Sequence, residues 1–396
     1  MAGRTKTLAF YVLGTLVTLS VFFAVIELAT RTVAWAKGDG FALALDELDA
    51  TDAAITDIYQ FHPFTGFILK PNRTLISGHR RQEGASRNVT DGHGFLSESG
   101  SLPLAKGSDE IRIATIGAST TANVNLSYAE NWPGLLGAMV TEHFPDRRVT
   151  VINAAVPGFN TAQSIGNLAL RVMPFKPDVV IIYHAYNDLK AIRVGDTLKP
   201  DFSNVHKQPY GRHDRPNVLI RVLNKSAFYV RTRNAYREFR KERGNNDVIV
   251  GDNRLAAVPS AAADIFEHNI RMLISIAAGG GARVILSSFA TLHSLDPNTQ
   301  ERSLTPMMRT ELYSILKFTP GLTLEGIFRG LSSYNDKLNG LATTLGTGWV
   351  DNAALVPHED AYFVDRVHFS RAGALRMAEN FLPVTLEQLR LAEEPL

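Results

Sequence analysis

The chain has 396 residues, 45% of them hydrophobic and 20% charged, and its 41 Lys and Arg against 39 Asp and Glu leave a net charge of +2. A composition of this kind buries a core, which excludes a chain disordered throughout. There is no cysteine, so disulfide frameworks, thiolate metal sites and cysteine nucleophiles are excluded as well.

Residues 7–26, TLAFYVLGTLVTLSVFFAVI, form an uncharged apolar run of 20 residues. At roughly 1.5 Å per helical residue this matches a hydrocarbon core of about 30 Å and predicts a transmembrane helix. A cleaved signal peptide is the competing reading, because Ala34 and Ala36 make a small-x-small pattern. Glu27 and Arg31 separate the run from that pattern, and a signal h-region spans only about 7 to 15 residues. Arg4 and Lys6 precede the span while Glu27 follows it. The positive-inside tendency then puts the short N-terminus in the cytoplasm and everything after residue 30 outside.

Residues 31–60 read as a juxtamembrane helix and connector, with acids at Asp39, Asp46, Glu47, Asp49 and Asp52. From His62 to about Lys106, Gly, Pro, Asn, Ser and Arg abound without a clear period, which predicts an extended segment wrapped over a domain surface. Two phrases stand out there, HPFTGFILKPN and GHGFLS.

After Asp109 short β-branched runs alternate with amphipathic stretches, the pattern of a parallel sheet covered on both faces. Strands are predicted at Ile111–Ile116, Val149–Ile152, Val179–Tyr183, Arg283–Ser288 and Trp349–Val350. Helices are predicted at about residues 128–143, 161–173, 260–278, 331–345 and 371–392, the third stopped by Gly279, Gly280 and Gly281. Three parts follow: a stub and anchor at 1–30, a connector and wrapping segment at 31–106, and a catalytic domain at 107–396 with an insertion at about 195–258. Within the insertion, Lys207 to Arg243 carry 11 Lys and Arg against 3 Asp and Glu, a net +8. Such a basic amphipathic helix suits anionic lipid or an acidic polymer; the plainer alternative is a solvated helical cap over the site. Nucleic acid is not expected as a partner of a domain outside the membrane.

Ser119 follows the first of these strands in Gly117-Ala118-Ser119-Thr120, at a carboxyl end where open parallel sheets form their ligand crevices. A turn serine or helix cap would occupy the same place. Asp365-Arg366-Val367-His368 supplies an imidazole and a carboxylate three residues apart. A serine hydroxyl needs a neutral imidazole to take its proton, and that imidazole needs a carboxylate to orient it. Metal ligation would also use such a pair, but no HExxH motif or thiolate completes a site and no cofactor is expected. Two segments offer donors for an oxyanion: Gly158, after the second strand, through its backbone, and Asn187, after the third, through its amide. A turn glycine and a strand-end cap are their ordinary alternatives.

In this order the motifs resemble those of the SGNH (GDSL-like) hydrolases across about 290 residues. The resemblance implies a flavodoxin-like α/β/α fold with a five-stranded parallel sheet. It also implies Ser119 as nucleophile, His368 as general base and Asp365 as its orienter. The oxyanion hole would be the amides of Ser119 and Gly158 and the side chain of Asn187. The phrases before Asp109 are similar to the lead-in of a membrane-anchored branch. Two positions depart from the family pattern, Ala118 for aspartate and Ala185 for glycine, and neither removes a triad group or an oxyanion donor.

The expected activity is hydrolysis of small acyl esters, acetyl foremost, on a glycan or other cell-envelope substrate, with lipid esters second. An O-acyltransferase using the same triad, and a glycan-binding scaffold without catalysis, are the alternatives.

Overall fold

The computed structural model describes residues 2–36, 58–77, 86–98, 100–192, 198–202, 254–294 and 304–393, with 223, 226–233 and 235–236. The acidic connector after residue 36 and most of the insertion at 195–258 lie outside the described residues. The chain divides into two compact units, residues 1–57 with 211–249, and residues 58–210 with 250–396.

The first unit is dominated by helix α1 (Ala2–Ala36). Its stretch Phe10–Val33 has 24 residues, a mean hydropathy of 2.2 and no burial within the chain, so it is long and apolar enough to cross a membrane. The apolar stretch therefore ends about two turns beyond the expected 7–26. Its hydroxyls are satisfied internally: Thr15 and Thr18 donate to the carbonyls of Tyr11 and Gly14, each at 2.9 Å. Glu27 pairs with Arg31 at 2.8 Å and accepts from the Ser226 hydroxyl and the amides of Ala227 and Phe228. A carboxylate there caps the described helical stretch at 227–233, satisfying N–H groups that have no partner inside a helix.

The second unit holds the sheet. A separate antiparallel hairpin comes first, β1 (Tyr59–His62) with β2 (Gly66–Leu69). Then follow β3 (Thr74–Ser77), β4 (Ser86–Thr90), β5 (Leu96–Ser97), β6 (Glu110–Gly117), β7 (Arg148–Asn153), β8 (Val179–Tyr183), β9 (Arg283–Ser287) and β10 (Gly348–Val350). These eight lie in the order β10-β9-β8-β6-β7-β5-β4-β3. The five from β10 to β7 are parallel, with the central strand β6 buried along all eight of its residues. Their order is the flavodoxin-like one, and the expected fold class is the one found.

The lead-in differs from expectation. Rather than wrapping as an extended strap, residues 74–97 add three antiparallel strands beyond β7. Their polar, Gly-punctuated sequence hides this because they are short and only half buried, so no long alternation develops.

Helices cover both faces. α2 (Ser119–Ala122) and α3 (Trp132–His143) follow β6, α4 (Thr161–Asn167) follows β7, and α5 (Tyr186–Leu189) follows β8. α6 (Ser260–Gly279), α7 (Pro306–Phe318), α8 (Leu324–Leu345), α9 (Asn352–Leu355) and α10 (Arg371–Glu393) complete the set. α3 packs with α10, and α6 packs with α4 and α8. Fully buried Trp132 stacks on Phe381 at 4.9 Å in the first layer, and Phe266 stacks on Tyr334 at 4.0 Å in the second. The short helix α7 was not predicted.

At the amino ends of the strands, Arg112 is wholly buried and pairs with Glu110 at 2.9 Å. It also donates to the carbonyls of Pro103, Leu104, Ala105 and Phe175. With both amino groups of the buried guanidinium bonded this way, and only Nε left without a partner, Arg112 ties the lead-in to the edge of the sheet opposite the site.

Candidate active site

The turn that carries Ser119 forms because β6 ends in a glycine. A Cβ on Gly117 would lie 1.9 Å from the Thr121 hydroxyl and 2.8 Å from the Tyr183 carbonyl oxygen, so only glycine lets the chain double back there. Ala118 then turns the backbone, and its carbonyl accepts from the amides of Thr121 and Ala122. The turn closes without the family's usual aspartate. Buried Trp132 donates from its indole to the Thr120 carbonyl at 3.1 Å, and Asn123, with φ at 48°, donates its amide to the Ser119 carbonyl.

Ser119 and His368 are 249 residues apart in sequence, yet Nε2 of the imidazole is 2.8 Å from the serine Oγ. Nδ1 of the same ring is 2.7 Å from Asp365 Oδ2. The other carboxylate oxygen accepts from the amides of Val367 and His368, each at 2.9 Å. These two bonds fix the carboxylate's plane, leaving Oδ2 for the ring. Since a carboxylate only accepts, Nδ1 carries the proton and Nε2 presents its lone pair to the serine hydroxyl. The histidine loop is tied down by Val364 donating to the His368 carbonyl at 2.8 Å and by Leu292 donating to the Arg366 carbonyl at 3.0 Å.

Asn187 sits in α5 and donates its side-chain amide to the Phe159 carbonyl at 2.7 Å. An amide carries two N–H bonds, so one remains for a ligand. Ser119, Asn187 and His368 line one cleft together with Tyr186, Phe289, Phe318 and Arg366. Gly158 does not line that cleft; it is the exposed neighbour of Phe159. Its φ of 92° is a left-handed value that glycine adopts freely. Among the described residues neither the Ser119 nor the Gly158 amide has a backbone acceptor. Ala185 has φ at −176°, extended backbone that needs no glycine, so that departure from the family pattern is sterically harmless.

The phrases of the lead-in now acquire a place. Phe67 packs edge-on against Phe159 at 5.1 Å, and the Thr65 carbonyl accepts from Gln163 at 3.1 Å, so the β1–β2 hairpin braces the Gly158 loop. In GHGFLS, Arg171 donates to the His93 carbonyl and stacks over Phe95 at 4.8 Å.

Two titratable groups are buried at the cleft, His184 in its wall and Asp188 on α5. Desolvation lowers His184 to about 3, so the ring is neutral, and it shares a hydrogen bond of 2.8 Å with Ser164. Desolvation raises Asp188 to about 7, against the hydrogen bonds it accepts from the hydroxyl and amide of Thr161. Asn269 donates to the same hydroxyl at 3.0 Å. None of these is marked by a motif in the sequence, nor are Tyr186, Phe289, Phe318 and Arg366. Asp188 was legible at best as the neighbour of Asn187.

A serine, an imidazole and a carboxylate joined in that order at the carboxyl edge of a parallel sheet define a serine hydrolase of the SGNH type. The sequence model of the GDSL-like Lipase/Acylhydrolase family matches residues 115–376, and the chain belongs to that family. It is therefore an ester-hydrolysing enzyme in general class. No curated protein matches the chain significantly. Among solved structures it is similar to an α/β hydrolase from the metagenome of Lake Arreo, Spain, at 15% identity, 71% of this chain, 97% of that one and TM-score 0.41. It is also similar to an acetylxylan esterase from Geobacillus stearothermophilus, at 15%, 69%, 93% and 0.39. A GDSL-like lipase from Bacteroides thetaiotaomicron gives 12%, 74%, 93% and 0.38.

Proposed function

We propose that this chain is an extracytoplasmic, membrane-anchored esterase that removes small acyl groups, acetyl foremost, from a glycan or similar cell-envelope substrate. The observation that carries the reading is the chain of hydrogen bonds from Ser119 through His368 to Asp365. In this reading residues 1–30 are the cytoplasmic stub and anchor, 31–106 lead into the domain, and 107–396 hold the chemistry.

His368 Nε2 takes the hydroxyl proton as Ser119 Oγ attacks the ester carbon. The negative oxygen that forms is met by the amide of Ser119 and by the second N–H of Asn187, which both line the cleft. Collapse breaks the bond to the alcohol, which leaves with the proton returned by His368, and an acyl-serine remains. Water, deprotonated by the same imidazole, attacks the acyl carbon, and the carboxylic acid departs with Ser119 restored. Asp365 stabilises the imidazolium in both halves without taking its proton.

A fluorophosphonate probe tests the nucleophile, because only an activated serine reacts with it. The expected result is labelling of the full chain at Ser119 and none in Ser119→Ala, together with acetate release from acetylated glycans. Labelling elsewhere, or none, sinks the assignment. For the hydrolytic outcome, the acyl-enzyme formed from a p-nitrophenyl ester should decay briskly in buffer alone. Decay that waits for an added sugar and yields an acylated sugar would make the enzyme a transferase.

A further inference from the structure

Helix α1 leaves its uncharged run, residues 7–26, at Glu27. At about 1.5 Å per residue that run fills a hydrocarbon core of about 30 Å, so Glu27 stands where the core gives way to headgroups. The surroundings of the helix change at the same level. Every residue from Phe10 to Val25 is exposed, whereas Ile26, Glu27, Thr30 and Arg31, a single helical stripe, are half-covered.

The basic insertion meets α1 there, and residues 211–249 form one compact unit with residues 1–57. The Ser226 hydroxyl and the amides of Ala227 and Phe228 lie 2.7, 2.8 and 3.1 Å from the Glu27 carboxylate. The first turn of the helix that follows, described at 227–233 and 235–236, is therefore fixed at the membrane boundary whichever way its axis points. Ala227 and Val230 are wholly buried, while Phe228, Thr232, Ala235 and Tyr236 are exposed, Tyr236 by 60%. Positions three and four apart share a helix face, so the exposed side is one stripe with an aromatic ring at each end.

An uncovered aromatic stripe suits the membrane boundary, where a ring rests among acyl carbons and a tyrosine hydroxyl stays in the wet layer. The rise from Phe228 to Tyr236 is about 12 Å, more than the headgroup layer's depth of about 5–8 Å. An upright helix would lift Tyr236 out of that layer, and only an axis near the membrane plane keeps both rings in it. We propose that this helix lies in the headgroup layer of the bilayer that α1 crosses, with Phe228 and Tyr236 against phospholipid and Glu27 holding its first turn. The proposal rests on the anchor reading of α1 and gives the insertion a partner, the lipid surface.

The chain has no cysteine, so Thr232→Cys, exposed between the two rings, carries a fluorophore at one known place in the full-length protein. The protein is held in phosphatidylcholine nanodiscs that contain a nitroxide quencher on either the headgroup or the acyl tail. Headgroup quenching at 232 is expected to exceed tail quenching about threefold, and to fall about threefold when Phe228→Ser and Tyr236→Ser are added together. No headgroup quenching at 232, or quenching indifferent to those two changes, overturns the proposal. The same fluorophore at Tyr236→Cys, taking the place of the ring, should be quenched as strongly as at 232; its loss there marks an upright helix and overturns the proposal too. A fluorophore at Val17→Cys, exposed in the middle of α1, reads the anchor by itself. Tail quenching at 17 without headgroup quenching at 232 overturns the helix contact alone, and no tail quenching at 17 overturns the anchor reading along with it.

Discussion

Asn125 donates its side-chain amide to the carbonyl of Phe369 at 2.9 Å, a buried bond spanning 244 residues of sequence. It joins the loop six residues after Ser119 to the residue immediately after His368. Asn125 is itself positioned by Asn123, which donates to its side-chain oxygen at 2.9 Å, and the loop between them is gripped from β4 by Asn88. Two catalytic loops from opposite ends of the domain are thereby held in one register.

Asn125→Ala should cost about 1–3 kcal/mol of stability, because the Phe369 carbonyl is left buried and unpaired. Turnover should fall by up to about 10², since a shift of about 1 Å between nucleophile and base is enough for that. Urea denaturation and steady-state kinetics read the two effects. Unchanged kcat with reduced stability would make the bond purely structural.

Ser119→Ala and His368→Ala should each leave less than about 1% of esterase activity, and the double variant should be about as slow as either single one, because the groups act as a unit. Circular dichroism should report the wild-type fold in all three. Losses that multiply in the double variant would speak for two independent roles.

Asn187→Ala should lower kcat by about 10² to 10³, which is about 2.7–4 kcal/mol of transition-state stabilisation, with KM little altered. The bond to Phe159 belongs to the same side chain, so the thermal midpoint must be measured alongside. An effect confined to KM would make Asn187 a binding group.

His184 and Asp188 give stability two opposing pH dependences. His184 titrates near 3 when folded and near 6.5 as a free side chain, so unfolding takes up a proton between those values, and stability rises with pH across that window. Asp188 titrates near 7 when folded against a reference of 3.8, so unfolding releases a proton, and its contribution is lost as pH rises from about 4 to about 7. Relative to wild type, Asp188→Asn should therefore steepen the rise of stability with pH between about 4 and 6.5. His184→Gln should tilt the curve the other way. Chemical denaturation at pH 4.5, 5.5 and 6.5 decides it, and parallel curves for all three proteins would contradict both assignments.

What the sequence made legible follows from burial. The five parallel strands are hydrophobic on both faces, so Ile111–Ile116 and Val179–Tyr183 announce themselves as unbroken β-branched runs. Ser119, His368, Asp365 and Asn187 were legible because they follow strands or sit on a late loop in the order of the family's motifs, since the chemistry alone fixes no order along a chain. Gly158 was expected in the same place, and it lies one residue from the Asn187 contact but outside the cleft lining. The strands β3 to β5 stayed hidden because short, half-exposed strands carry too few residues for a period of two to register.

The separation of 249 residues between Ser119 and His368 also bears on when the enzyme comes to exist. A chain is made from its amino end, so the serine, its turn and the Trp132 clasp are all synthesised long before the base arrives. On the proposed mechanism, the hydroxyl is an ordinary alcohol until the loop at 365–368 docks against Ser119 and against Leu292 in the segment after β9. Activity in that mechanism therefore depends on closing a long-range contact and not only on the turn that holds Ser119.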